Sequence, residues 1–263
     1  MSQKVDAVVK VILWSAPRCI STAFERSMRT LQDVKVYHEY YCIASYHGEE
    51  RIYTRYQDDK PVEKFRYGDV KSTLEGAFPQ YQGVFLKDMA YAMVGQFDAL
   101  PAGYRHTFLI RDPTKAITSL YKTIKRGNMP EWSDFRPEEA GFCEMWQLYQ
   151  HVRDVTGEEP VVIDADDLLS DPAAMMKKYC EAVGLEYTDR MLEWDADDQS
   201  EHWTWENAWY GTVSSSTGFI KTPGANAHTA KIDTSSLPEY VQDAIREAQP
   251  AYENLFNRRI KVC

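Results

Sequence analysis

The sequence predicts an α/β fold of three layers, a central and mainly parallel β-sheet flanked by helices. Three observations carry that expectation. Five short apolar, β-branched or aromatic runs recur along the chain, helical patterns separate them, and two Asp-Pro steps mark helix starts. The runs are "AVVKVILW" (7–14), "VKVY" (34–37), "GVFLKD" (83–88), "HTFLIRD" (106–112) and "PVVID" (160–164). Each is too short for a helix and nearly continuous in apolar character, as a strand covered on both faces must be. Asp112-Pro113 supplies an N-cap and a proline at the first helical position, and Asp171-Pro172 does so again. Gly184 is placed as the residue beyond the end of that second helix, where a left-handed backbone is needed. Near the C-terminus, Leu237, Val241, Ile245, Ala248, Tyr252 and Leu255 keep a helical stripe, which Pro250 should kink or split.

Between these elements two stretches lack clear periodicity. Residues 57–81 are polar and are expected to cross the mouth of the site. Residues 195–234, rich in Trp, Ser, Thr, Gly and Asn, form the second. No linker divides the chain, so 1–263 reads as one domain.

A formal charge of −10 argues against a nucleic-acid partner, which requires a basic face. Five cysteines without a C-x-x-C pair fit a reduced compartment, and no run is long enough to cross a membrane. The expected location is therefore the cytoplasm.

The first strand leads into "SAPRCISTAF", the layout of a phosphate-binding loop: strand, turn, then helix N-terminus. Unpaired N–H groups at that terminus and the hydroxyls of Ser21 and Thr22 favour an anion. Arg18 adds a fixed, always-charged fork. The Walker pattern G-x-x-x-x-G-K-[ST] is absent, which disfavours magnesium-dependent nucleotide hydrolysis. A second element lies at Arg111, which ends a strand eight residues before Ser119, about two helical turns into the Pro113 helix.

Pro17-Arg18-Cys19-Ile20-Ser21-Thr22 and the Arg111-to-Ser119 pair resemble the two cofactor signatures of the sulfotransferase family that uses 3′-phosphoadenosine 5′-phosphosulfate (PAPS). The stretches "WSAPRCISTAFERSM", "FLKDMAY", "VVIDADDLLSDP" and "SSSTGF" resemble a microbial soluble branch with arginine in the loop. The resemblance implies a P-loop-like domain. Arg18, Cys19, Ile20, Ser21 and Thr22 would lie at the 5′-phosphosulfate, and Arg111 and Ser119 at the 3′-phosphate. Ser216, Thr217, Gly218 and Phe219 would form a late loop over the adenosine. PAPS would be the donor, 3′-phosphoadenosine 5′-phosphate (PAP) the product, and no metal would take part. The acceptor would be a small molecule, and a homodimer is the family-level expectation.

The residues that would remove the acceptor's proton depart from the family. Lys87-Asp88-Met89 puts methionine where animal sulfotransferases carry a histidine, and Tyr91 stands where related microbial sequences carry one. Another branch places a glutamate just past the second strand, and Glu39 occupies that point. Glu39 is the preferred base, with His38 and Asp88 behind it. Arg18 would stabilise the leaving group. Glu49, Glu50 and the tyrosines at 37, 40, 41 and 46 suggest a cationic or amphipathic acceptor. A P-loop metabolite kinase and a non-catalytic nucleotide-binding protein of the same fold are the alternatives.

Overall fold

The computed structural model describes residues 8–127, 129–196, 209–220 and 232–262. All five expected strands form: β1 (Val9–Ser15), β2 (Val34–His38), β3 (Gly83–Met89), β4 (Arg105–Ile110) and β5 (Val161–Asp164). They make one parallel sheet in the order β2-β3-β1-β4-β5. β3 is buried along its whole length, so the polar Lys87 and Asp88 within it must find partners inside the protein.

The helices are α1 (Ser21–Arg29), α2 (Tyr40–His47), α3 (Tyr67–Leu74), α4 (Pro113–Lys125), α5 (Phe142–Thr156), α6 (Ala165–Ser170), α7 (Pro172–Val183), α8 (Gly211–Ser214) and α9 (Glu239–Phe256). α1 and α7 share the turn at Asp189–Leu192 on one side of the sheet, and α4, α5 and α9 pack together on the other. Helices thus cover both faces, giving three layers.

The cap signals act as their chemistry requires. Asp112 accepts from the N–H groups of Thr114 and Lys115, and Asp171 from that of Ala174. Gly184 follows α7 with φ +77°. Pro250, however, does not divide the last helix, because α9 runs continuously through it. The buried Val241, Ala244, Ala248, Ala251, Tyr252 and Leu255 hold the helix against the core on both sides of the proline. Residues 57–81 also depart from expectation. Their helix α3 packs against α2 and the turn at Phe97–Ala99, and none of them lines the site cavity.

Two features of the sheet position the site. First, the strand ends are level: Ser15 pairs with Met89 and Leu109, and His38 with Lys87. Second, the chain leaves β1 toward one edge and β4 toward the other, so a crevice opens between them at their carboxyl ends, where parallel sheets bind ligands.

Candidate active site

A cavity of about 300 Å³ opens over these carboxyl ends. The loop after β1 supplies Pro17, Arg18, Ile20, Ser21 and Thr22, the end of β2 supplies Glu39, β3 supplies Met89, and the end of β4 supplies Arg111.

The β1 loop contains no glycine, yet it takes backbone conformations that glycine favours. Arg18 has φ +66° and Ile20 φ +61°. Such values cost a β-branched residue roughly 1–2 kcal/mol. Ile20 occupies the N-cap of α1 without any side-chain cap, and no acidic residue stands in that first turn. The helix N-terminus is left with donors facing the cavity, the arrangement an anion neutralises.

Arg18 and Arg111 meet here. Arg111 Nη1 donates to the carbonyl of Arg18 at 2.9 Å, and Arg18 Nε donates to Ser119 Oγ at 3.2 Å. Arg18 Nη1 also donates to the carbonyl of Trp209, at 3.2 Å. Burial, then the charges of Arg111 and Arg126, lower the Arg18 guanidinium from its ordinary value. Among the described residues, the buried Arg111 Nε, at the cavity, has no hydrogen-bond partner, and neither has Thr118 Oγ1, which does not line it. A cationic cluster with unused donors favours a multiply charged anion over a neutral ligand.

The structure brings most of the expected donor residues to this cavity: Arg18, Ile20, Ser21, Thr22, Arg111, Ser216, Gly218 and Phe219 all line it. Ser119 touches it through Arg18. Cys19 does not line it, because its side chain is fully buried in the core and burial pushes the thiol up to about 12. Thr217 turns to a neighbouring surface concavity lined by Arg26, Arg29 and Arg190, and its carbonyl accepts from the Trp194 N–H at 3.1 Å. Gly218 pairs with Glu193 so closely that a Cβ there would lie 2.6 Å from the Leu192 carbonyl oxygen.

Of the three candidate bases, Glu39 lines the cavity, is 6% exposed and has φ +51°. Its Oε1 forms an ion pair with Lys87 Nζ, whose side chain is wholly buried. Burial alone would lower the Lys87 ammonium, but Glu39 and then Glu25 outweigh it and raise it. His38 lies behind Glu39, with 3.7 Å between Nε2 and Oε1, and does not line the cavity. Asp88 corrects the sequence expectation. Its carboxylate accepts the N–H groups of Tyr41 (2.6 Å), Cys42 (3.1 Å) and Met89 (2.9 Å). That caps α2, and Asp88 does not line the cavity. Burial, then Glu39, push the Asp88 carboxyl up to about 7 against the pull of those donors.

Met89, Tyr91, Leu120, Trp132, Trp209 and Tyr210 also line the cavity. Trp132 and Trp209 meet edge to face at 4.8 Å, and Arg55 lies 4.0 Å over Trp132 while donating to Glu139. Trp203 and Trp205 lie outside the described residues. The tyrosine and glutamate run expected to recognise the acceptor is elsewhere. Tyr41 and Tyr46 are buried in the core, Glu49 pairs with Arg66, Glu50 accepts the Tyr67 N–H, and none lines the cavity. The "DADDLL" carboxylates are used structurally. Asp164 caps α6, Asp166 pairs with Lys115, and Asp167 pairs with Arg259.

Sequence reasoning passed over Lys87, Trp132, Tyr210 and Glu25. For Lys87 a signal existed, since a lysine inside a buried strand demands a counter-charge. No helix among the described residues is long and apolar enough to cross a membrane.

Comparison with known proteins agrees with this architecture. The family model for the sulfotransferase domain matches residues 9–247. The chain is 29% identical over 216 residues to branched-chain-amino-acid aminotransferase-like protein 2 of Arabidopsis thaliana, covering 78% of this chain but only 35% of that protein. The chain thus spans little more than a third of that relative's length. It is 24% identical over 179 residues to sulfotransferase ppzF of Metarhizium majus (strain ARSEF 297), covering 59% of this chain and 52% of that protein. The solved sulfotransferase from Alicyclobacillus acidocaldarius shares the fold, with TM-score 0.55, 12% identity and coverage of 97% of this chain and 98% of that one. The sulfotransferase domain of the Synechococcus PCC 7002 olefin synthase does so with TM-score 0.54, 12% identity and coverage of 94% and 98%. With its loop, its paired arginines and its family-model match over residues 9–247, this chain belongs to the sulfotransferase domain family.

Proposed function

We propose that this chain transfers a sulfuryl group from PAPS to a hydroxyl or amine of a small-molecule acceptor held in the cavity. One observation carries the reading: Arg18 and Arg111 converge on one cavity from the loops after two adjacent strands, and the buried Arg111 Nε has no hydrogen-bond partner among the described residues. A ligand with phosphate groups at both the 5′ and 3′ positions of one ribose satisfies such a cluster better than a single phosphate does. Bound there, the donor supplies the sulfuryl group and departs as PAP.

The residues divide the work. The N–H groups opening α1, with Ser21 and Thr22, hold the 5′ end, and Arg111 and Ser119 hold the 3′-phosphate. Arg18 faces the point where negative charge grows as the sulfuryl group leaves, so it stabilises that charge. Glu39 is the carboxylate that takes the acceptor's proton, with Lys87 fixing its position. Met89, Tyr91, Trp132 and Trp209 give the acceptor an aromatic and apolar wall, which suits a small organic molecule.

Thermal denaturation with PAP, ATP plus magnesium, and AMP in parallel tests the reading. PAP should raise the melting temperature with concentration and the other two should do so far less. Equal stabilisation by ATP with magnesium would return the chain to the kinase reading.

A further inference from the structure

Behind the cavity lies a buried array of charge that the reading above uses only in part. His38 is 3% exposed and both ring nitrogens are engaged. Nδ1 lies 2.5 Å from Glu25 Oε2 on α1, and Nε2 lies 3.0 Å from the hydroxyl of Tyr210. Glu25 is fully buried and also accepts from Arg29 at 2.7 Å. Glu39 and Lys87 complete the set, with Glu39 Oε1 at 3.7 Å from His38 Nε2. Tyr210, 172 residues from His38 in sequence, is itself part of the cavity wall.

Hydrogen-bond polarity follows from the charges. Glu25 Oε1 accepts from both Arg29 Nε and Nη2, which marks the carboxyl as an ionised acceptor at its Oε2 as well. His38 must therefore present N–H at Nδ1. A neutral His38 then has its lone pair at Nε2, and Tyr210 must donate to it. A protonated His38 reverses this: Nε2–H donates, and the Tyr210 O–H turns to the cavity.

Charge balance shows why such a group is needed. With His38 neutral, Lys87 balances Glu39 and Arg29 balances Glu25. A proton resting on Glu39 would leave the buried Lys87 ammonium without its partner, which is costly in a dry interior. The same proton on His38 restores the Glu39–Lys87 pair and places the imidazolium between two carboxylates.

We propose that His38, held by Glu25 and gated by Tyr210, is the proton station behind Glu39. This rests on the transfer reading above. As the acceptor oxygen bonds to sulfur and the sulfur–oxygen bond to the departing PAP breaks, the acceptor's proton moves to Glu39. Tyr210 releases Nε2, the 3.7 Å between Nε2 and Glu39 Oε1 closes to hydrogen-bond reach, the proton passes to Nε2, and it later leaves to water. His38, Glu25 and Tyr210 act through Glu39 as positioning residues.

Two measurements on the intact chain test this. Nitrogen-15 NMR of the His38 ring, followed across pH, should show the neutral ring as the Nδ1–H tautomer; an Nε2–H tautomer overturns the relay whatever the donor proves to be. The second uses PAPS turnover with water as acceptor, read as PAP release across pH. Glu25→Gln should slow turnover about tenfold and move the acid limb of the profile to lower pH, because the relay loses the negative charge 2.5 Å from Nδ1 that offsets the proton it receives. Glu25→Asp should restore the limb in part, and Tyr210→Phe should change the rate near that limb while stabilisation by PAP is kept. Slower turnover with an unmoved limb in Glu25→Gln is the signature of structural damage alone and overturns the proposal. Failure of PAP to stabilise the parent protein would instead remove the transfer reading, with the tautomer still deciding the relay's polarity.

Discussion

The two ends of the cavity are built on opposite electrostatic plans. Around the β1 loop, Arg18 and Arg111 meet within reach of the Arg126 charge, no carboxylate stands in the first turn of α1, and the buried Arg111 Nε has no partner among the described residues. Around Glu39, by contrast, Glu25, Arg29, His38, Glu39 and Lys87 neutralise each other within a few ångströms. One end carries a surplus of positive charge that an anion would neutralise. The other is complete by itself. A surplus of like charge is stabilised only when the anion arrives, so it should govern affinity. A self-neutralised buried set should govern folding and proton movement.

Variants at each end separate the two plans, and the largest effect falls on the self-neutralised end. Lys87→Met strands the Glu39 carboxylate in a buried site and should cost about 3–5 kcal/mol of unfolding free energy, measured by urea denaturation. Lys87→Met with Glu39→Leu should recover much of that loss, since neither charge then remains alone. If the single variant were as stable as the parent, the ion pair would not be holding this end together.

At the donor end, Arg111→Ala should leave folding largely intact and weaken PAP binding by about 1.5–3 kcal/mol, roughly ten- to a hundredfold, in a titration. Arg18→Ala should spare PAP binding relative to this and lower turnover about 10²- to 10³-fold. Equal losses of affinity and turnover in both variants would erase the division of labour between the two arginines.

The smallest effect concerns the left-handed loop. Ile20→Gly relieves about 1–2 kcal/mol of backbone strain but gives up the part-buried side chain and loosens the unfolded chain, so stability should change by about 1 kcal/mol or less. PAP affinity should still fall about threefold or more, because the loop loses its preset shape. A tighter-binding Ile20→Gly would mean that the strain opposes the donor rather than preparing for it.

The same contrast explains which residues could be recognised early. Arg18, Ser21 and Thr22 lie within five positions of one another, and Arg111 and Ser119 are joined by two turns of one helix, so spacing alone groups them. The Glu39–Lys87 pair joins residues 48 apart, and His38 to Tyr210 spans 172. No local pattern encodes those contacts. Asp88 shows the hazard directly: its sequence neighbours suggested chemistry, and the level strand ends turned it into the cap of α2. The tyrosines around α2 were misread for the same reason, since which face of that helix meets the core was not legible in an irregular pattern.

By itself the sequence determined the five strands, the capped starts of α4 and α7, and the loop that opens α1, because hydrophobic period, proline geometry and cap chemistry act over a few residues. Only the tertiary structure decided which charges share a pocket, which aromatic rings wall it, and which carboxylate faces it. Those outcomes depend on strand order and on the neutralisation of buried charge, and both are settled between segments that are distant along the chain.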